Sequence, residues 1–177
     1  TAVSIVNPVY NPAVRSYLNT YIYRRPEHTA MMLGWAAVYF PMFEKALADE
    51  GLPTDLKYLS IVESALNPAA ISRSGAGGLW QFMKPTAREC GLKISSYVDE
   101  RMDPDKSTKA AVHYLKQLYA MFGNWELVMA AYNAGPGRVR AAVKRAGSSD
   151  YWKIARFLPE ETRSYVPGFI AASYLMN

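Results

Sequence analysis

Apolar and polar positions alternate along this chain mostly at helical spacing. Residues 1 to 13, with Pro8 and Pro12, read as an extended arm, and Val14 to Tyr23 as a short helix ended by Arg24, Arg25 and Pro26. The longest apolar run, MMLGWAAVYFPMF from Met31 to Phe43, is too short to span a bilayer. It predicts core helix on both sides of Pro41, from about Glu27 to Tyr39 and from Pro41 to Glu50, with Gly51 as a C-terminal cap. Thr54 is placed to cap a helix from Asp55 to Leu66, which Asn67 and Pro68 close. Over 69–78 the sequence AAISRSGAGG loses the helical period, so a loop or small hairpin region is expected near 69–80. LWQFMKPTARECG then suggests two short helical turns. Asp103 before Pro104 marks a helix start, and Ala111, Tyr114, Leu115, Leu118 and Phe122 share one face of that helix. Further helices are expected at Trp125 to Ala134 and, after the GPG at 135–137, at Arg138 to Arg145. LPEETRSYVPGFIAASYLMN reads as a last helix, kinked or restarted at Pro167. No repeat, low-complexity tract or linker interrupts the series, so a mainly α, single compact domain is expected.

Composition narrows what such a domain does. With 177 residues, 50% hydrophobic and 20% charged, the chain can bury a core and is not of disordered type. A net charge of +5 favours encounter with an acidic polymer or surface without naming it. The basic residues are dispersed, with only Arg138, Arg140, Lys144 and Arg145 grouped, which argues against a nucleic-acid partner. His28 and His113 are the only histidines and are far apart, so no metal is expected; His113 falls opposite the apolar stripe of its helix and should face solvent. Cys90, the single cysteine, reads as a small hydrophobe and allows no internal disulfide. GAGG and GPGRV have neither the dinucleotide nor the phosphate-loop spacing, no G-x-S-x-G nucleophile elbow is present, and no cofactor is implied. The opening TAVSIVNP lacks the pattern of a signal peptide.

One polar position breaks the pattern. In IVESALNP, Ile61 to Pro68, Glu63 falls between Leu59 and Leu56 at about 100° per residue, on the edge of the apolar arc, with Lys57, Ser60 and Ser64 on the opposite wedge. A partly desolvated carboxyl keeps its proton more readily, which suits a general acid. A helix-border glutamate that snorkels or pairs with an arginine gives the same pattern, and the helix alone leaves both readings open.

Company distinguishes them. IVESALNP, SGAGGLWQFM, AAYNAGPGRV and ETRSYV occur in this order, and the set resembles the family 1 lytic transglycosylases of bacterial cell walls, nearest their membrane-bound type D branch, with goose-type lysozyme more distant. The resemblance covers about residues 41–177, the expected catalytic domain; residues 1–40 are expected to be an arm and helices packed on it. It implies a lysozyme-like fold, formally α+β. Carried over position by position, it implies that Glu63 is the single catalytic acid and base, supported by Ser64, with Ser72 orienting the carboxylate and the substrate acetamido group. Gly78, Leu79, Trp80 and Gln81 stand where the family has Gly-Leu-Met-Gln, so Gln81 matches a sugar-binding amide and Trp80 departs from Met. Met83 matches a position lining the sugar cleft, Tyr132 and Asn133 are the expected cleft residues of the Ala-Tyr-Asn-Ala-Gly motif, and Tyr165 matches a tyrosine that supports the carboxylate or sugar. Without the resemblance, Gln81 reads as a surface amide, Tyr132 as core and Asn133 as a helix cap.

Most glycosidases use two carboxyl groups. The candidates for a second, Asp99, Glu100, Asp103 and Asp105, lie in a stretch that reads as solvent-exposed and helix-capping. Substrate assistance removes the need: the sugar's own acetamido oxygen attacks the anomeric carbon after Glu63 protonates the leaving oxygen, and the 6-hydroxyl then closes a 1,6-anhydro ring. The resemblance therefore implies non-hydrolytic cleavage between N-acetylmuramic acid and N-acetylglucosamine of peptidoglycan. It implies a monomer in the periplasm or cell envelope of a bacterium, with any outer-membrane anchor outside this chain. A goose-type lysozyme-like hydrolase and a non-catalytic glycan-binding module are the alternatives.

Overall fold

A computed structural model describes residues 5–7 and 9–176. The helices are α1 (Pro12–Asn19), α2 (Pro26–Asp49), α3 (Leu59–Ser64), α4 (Lys84–Glu89), α5 (Pro104–Phe122), α6 (Trp125–Ala134), α7 (Pro136–Ala146), α8 (Tyr151–Ile154) and α9 (Glu160–Met176). Among the described residues, β structure is limited to isolated antiparallel bridges pairing Ile71 with Gly77, Gly77 with Phe82 and Ile94 with Asp99. The fold is thus mainly α, with the small hairpin region where the periodicity fails. None of the described helices is long and apolar enough to cross a membrane. The chain forms two compact units, Thr20–Tyr114 and the remainder.

In the first unit α2 is one helix where the sequence suggested two. Pro41 removes only the bond its own N–H would make, while Met32, Ala36, Phe43 and Leu47 form one buried stripe running through it. The stripe outweighs the proline. Gly51, at φ 69°, ends the helix: its N–H donates to Ala48 and that of Leu52 to Leu47, at 3.0 and 2.9 Å. The expected helix from Asp55 to Leu66 is also different. It begins as a 3₁₀ turn over Thr54–Tyr58 in which Thr54 makes no side-chain cap, and its α-helical part ends at Ser64. Lys57 leaves the turn to pair with Glu44 of α2 and lies over the rings of Phe40 and Tyr58. Asp103 caps α5 as expected, accepting from the Lys106 N–H at 2.9 Å, and His113 on that helix is exposed.

In the second unit the expected Val14–Tyr23 helix is shorter: α1 begins at Pro12, and a π-helical turn at Thr20–Arg24 belongs to the first unit. The part of the expected arm at residues 1–4 and 8 lies outside the described residues. Helix α6 is buried from Leu127 to Ala131 and packs on α7 and α9. Gly135, at φ 89°, lets the chain turn directly from α6 into α7, whose first residue is Pro136. Helix α9 runs unbroken through Pro167, buried from Tyr165 to Ala172, and also packs on α1. The Tyr151 hydroxyl lies 3.0 Å from the carbonyls of both Thr162 and Arg163, where α9 begins.

Candidate active site

Glu63 lies in the last turn of α3, half-buried. The serines around it, which periodicity placed on a polar wedge, are turned inward. Ser60 is fully buried, and its hydroxyl and that of Ser64 both donate to the Leu79 carbonyl, at 2.8 and 2.9 Å. One carbonyl of the 70–82 loop therefore fixes the helical turn that carries Glu63. Directly after Ser64, Ala65 and Leu66 adopt φ of 50° and 63°, a left-handed conformation that costs non-glycine residues of order 1–3 kcal/mol each. The Leu66 side chain is fully buried, which holds this reversal in place. It ends the helix one residue past the carboxylate.

The loop itself is closed by its own backbone. Gly77 and Phe82 exchange both N–H···O bonds, at 3.0 and 3.1 Å, Gly78 donates to Ala70 at 2.9 Å, and Ser72 donates to Ala76 at 2.9 Å. The Ser72 hydroxyl accepts from the Ala76 N–H and lies 2.9 Å from that of Ser74. Gly78 is required twice over: its φ is 82°, and an added Cβ would lie 1.9 Å from the Arg101 carbonyl. Gln81 has φ of 49°, and its Nε2 donates to the carbonyls of Ala70 and Gly78 at 3.1 and 3.0 Å. Ser64, on the turn that carries Glu63, is thus hydrogen-bonded to the loop that bears Ser72, Gly78 and Gln81. Met83 follows, exposed, at the N-cap of α4.

Trp80 does not face a ligand surface. It is fully buried against Phe43, ring centroids 4.9 Å apart, and donates to the Thr108 hydroxyl at 2.9 Å. The position where the family has Met is therefore a core position here.

The remaining expected site residues belong to the other unit. Tyr132 is half-buried on α6, and Tyr165 is buried on α9. Asn133 joins these two helices, donating to Glu161 at 3.2 Å and accepting from the Thr162 hydroxyl at 2.8 Å. The cap of α6 is Gly135 rather than Asn133.

Each candidate for a second carboxylate is engaged elsewhere. Asp99 holds Arg101, whose hydrogen bonds keep its carboxyl below the usual range. Glu100, read as exposed from sequence, is buried; it accepts from the Lys93 N–H at 2.7 Å and pairs with Lys106, which lowers its pKa. Asp103 caps α5, and Asp105 pairs with Lys109 at 2.8 Å. No described group of three His, Cys, Asp or Glu is placed to hold a metal ion. Burial pushes the Cys90 thiol up to about 11, so it is a poor nucleophile. The residue that sequence reading missed is Arg101, buried beneath the loop; no periodicity announces it, and its neighbours Glu100, Asp103 and Asp105 suggested a solvated stretch.

Comparison with known proteins identifies the family. Residues 40–155 match the transglycosylase SLT domain family. The chain is 43% identical over 131 residues to membrane-bound lytic murein transglycosylase D of Escherichia coli strain K12, covering 71% of this chain and 28% of that protein. It is 39% identical over 117 residues to the soluble lytic murein transglycosylase of Salmonella typhimurium, covering 62% and 18% respectively. Among solved structures, the 70 kDa soluble lytic transglycosylase of Escherichia coli superposes with a TM-score of 0.68 at 30% identity, covering 78% of this chain and 24% of that one. The chain spans less than a third of the length of each of these relatives.

Proposed function

Because the chain belongs to the transglycosylase SLT domain family, in its mainly α, lysozyme-like fold, we propose that it is a peptidoglycan lytic transglycosylase domain with Glu63 as its single acid and base. The observation that carries the reading is the attachment of Glu63's helical turn, through Ser60 and Ser64, to the loop that bears Gly78 and Gln81. Glu63 protonates the glycosidic oxygen of the N-acetylmuramic acid to N-acetylglucosamine bond, and the acetamido oxygen of the same sugar takes the anomeric carbon. Glu63, now ionised, accepts the proton of the 6-hydroxyl as that oxygen displaces the acetamido group, leaving a 1,6-anhydro end and a glutamic acid ready for the next cycle. No water is consumed. That Asp99, Glu100, Asp103 and Asp105 are each bound to other groups supports a mechanism with one carboxylate.

Ser72, Gln81 and Met83 are assigned to sugar binding from their loop, and Tyr132, Asn133 and Tyr165 from the motif match. The relatives' names refer to murein, which supports action on glycan strands in a bacterial periplasm or envelope; as part of the same proposal, 41–177 is the catalytic domain and the domain works as a monomer. Purified Glu63→Gln protein should keep its circular dichroism spectrum and release no muropeptides from isolated cell wall, while mass spectrometry of wild-type products should find termini one water lighter than hydrolysed ends. A fully active variant refutes the assignment, and reducing ends would make the domain a lysozyme-like hydrolase.

A further inference from the structure

We propose that Arg101, held by Asp99, is a positioning residue for the proposed catalytic loop. The Arg101 side chain is 3% exposed. Its Nη1 donates to the carbonyls of Gly75 and Phe82, at 2.7 and 2.9 Å, while Nε and Nη2 grip the Asp99 carboxylate at 2.9 and 2.7 Å. The two carbonyls bound by Nη1 stand at the ends of the segment that contains Gly78 and Gln81, and Gly75 donates back to Ser72 at 3.0 Å. One planar group therefore spans the loop from below.

The fit is close from both sides. A Cβ on Gly77 would lie 3.0 Å from the guanidinium carbon, and one on Gly78 would meet the Arg101 carbonyl at 1.9 Å. The loop rests on this residue's side chain at one glycine and on its backbone at the next. The bed is anchored in turn: Asp99 also accepts from the Arg101 N–H, and Glu100 is tied to Lys93 and Lys106. Such a support matters here because the loop's buried apolar side chains, Leu79, Trp80 and Phe82, all come after Gly78, Ile71 before it being exposed, and because Gln81 is held at a positive φ that an unsupported chain would relax. From Arg101 the connection runs through the segment to Leu79, whose carbonyl holds the serines around Glu63. A lysine cannot replace it, since an ammonium is a point charge without the fork that serves a carboxylate and two carbonyls at once.

The inference rests on the function proposed above, and two readouts separate failure of one from failure of the other. Arg101→Lys, assayed on isolated cell wall where its circular dichroism is native, should lower kcat by about tenfold or more with KM changed less than about threefold, because misplacing a catalytic constellation costs turnover before binding. In a Gln81→Ala background the same substitution should cost less than about threefold, since both act through one loop. Amide exchange at Gly78 and Phe82 should quicken in Arg101→Lys. If Arg101→Lys does not fold, Asp99→Asn carries the test, with a loss of roughly three- to tenfold and the same change in exchange. Turnover within about twofold of wild type, an equal loss in both backgrounds, or unchanged exchange would overturn the proposal. An active Glu63→Gln protein would instead remove the catalytic reading, and the exchange measurement would still judge the clamp.

Discussion

Trp80→Phe tests whether the third position of the Gly-Leu-Trp-Gln stretch is core or sugar site. The indole is fully buried, and the substitution removes two things: its N–H bond to Thr108 and the part of the ring beyond a phenyl. The Thr108 hydroxyl still donates to the Pro104 carbonyl at 2.6 Å, so it is not orphaned, and the lost bond costs only its net value, about 1 kcal/mol. The void left against Phe43 adds roughly 1–2 kcal/mol, well short of the about 3–5 kcal/mol for truncation of a buried Trp to Ala. The sum, about 2–3 kcal/mol, corresponds to a fall in Tm of roughly 4–12 °C for a domain of this size. Calorimetry reads the Tm, and muropeptide release at 25 °C reads turnover, which should stay within about twofold of wild type because the ring touches no substrate. A tenfold loss of kcat/KM with an unchanged Tm would show that Trp80 packs on sugar and that its buried placement is wrong.

Gly78→Ala and Gly91→Ala make a matched pair: both have φ above 80°, but only at Gly78 would the new Cβ strike a backbone carbonyl, so Gly91→Ala should cost about 1 kcal/mol by denaturant unfolding and Gly78→Ala clearly more, with loss of wall-degrading activity. Equal losses would remove the steric argument. Asp99 ionises more easily when folded, held so by its hydrogen bonds from Arg101, so its contribution to stability is present above the ordinary aspartate range near pH 4 and fades as pH falls through the lowered folded value; Asp99→Asn should flatten the acid side of the stability curve below about pH 4. Cys90, with its thiol pushed up to about 11, should react with iodoacetamide at pH 8 much more slowly than a free cysteine, and unfolding in urea should abolish the difference.

The helices and the loop were legible because their signals are local. Trp125–Ala134 was readable to the residue: Asn124 caps it, accepting from the Leu127 N–H at 3.1 Å, and glycine and proline end it. The failures come from tertiary packing. Pro41 looked like a boundary because local chemistry disfavours proline inside a helix, yet the buried stripe from Met32 to Leu47 crosses it. Ser60 and Ser64 looked solvent-facing because serines on a helix usually are, and only the fold supplies the Leu79 carbonyl that draws both inward. The early end of α3 at Ser64 was invisible, since left-handed Ala65 and Leu66 carry no glycine or asparagine to announce them.

That early end connects fold to chemistry. Among the described residues, the only non-glycine positions at positive φ are Ala65, Leu66 and Gln81; the first two directly follow Ser64, and the third belongs to the proposed site itself. The reversal at Ala65 and Leu66 is what leaves Glu63 in the terminal turn of α3, with Leu66 buried just beyond it. Strain of this kind persists only where surrounding contacts over-determine it. Here the contacts can be named: buried Leu66 and the Leu79 carbonyl on the helix side, Arg101 beneath the loop on the other. The motif residues could be recognised in sequence because they are contiguous, whereas Arg101, twenty positions beyond Gln81, supports them through backbone carbonyls that any residue presents. A site read from its motif alone therefore identifies the groups that act and omits the one that holds them in place.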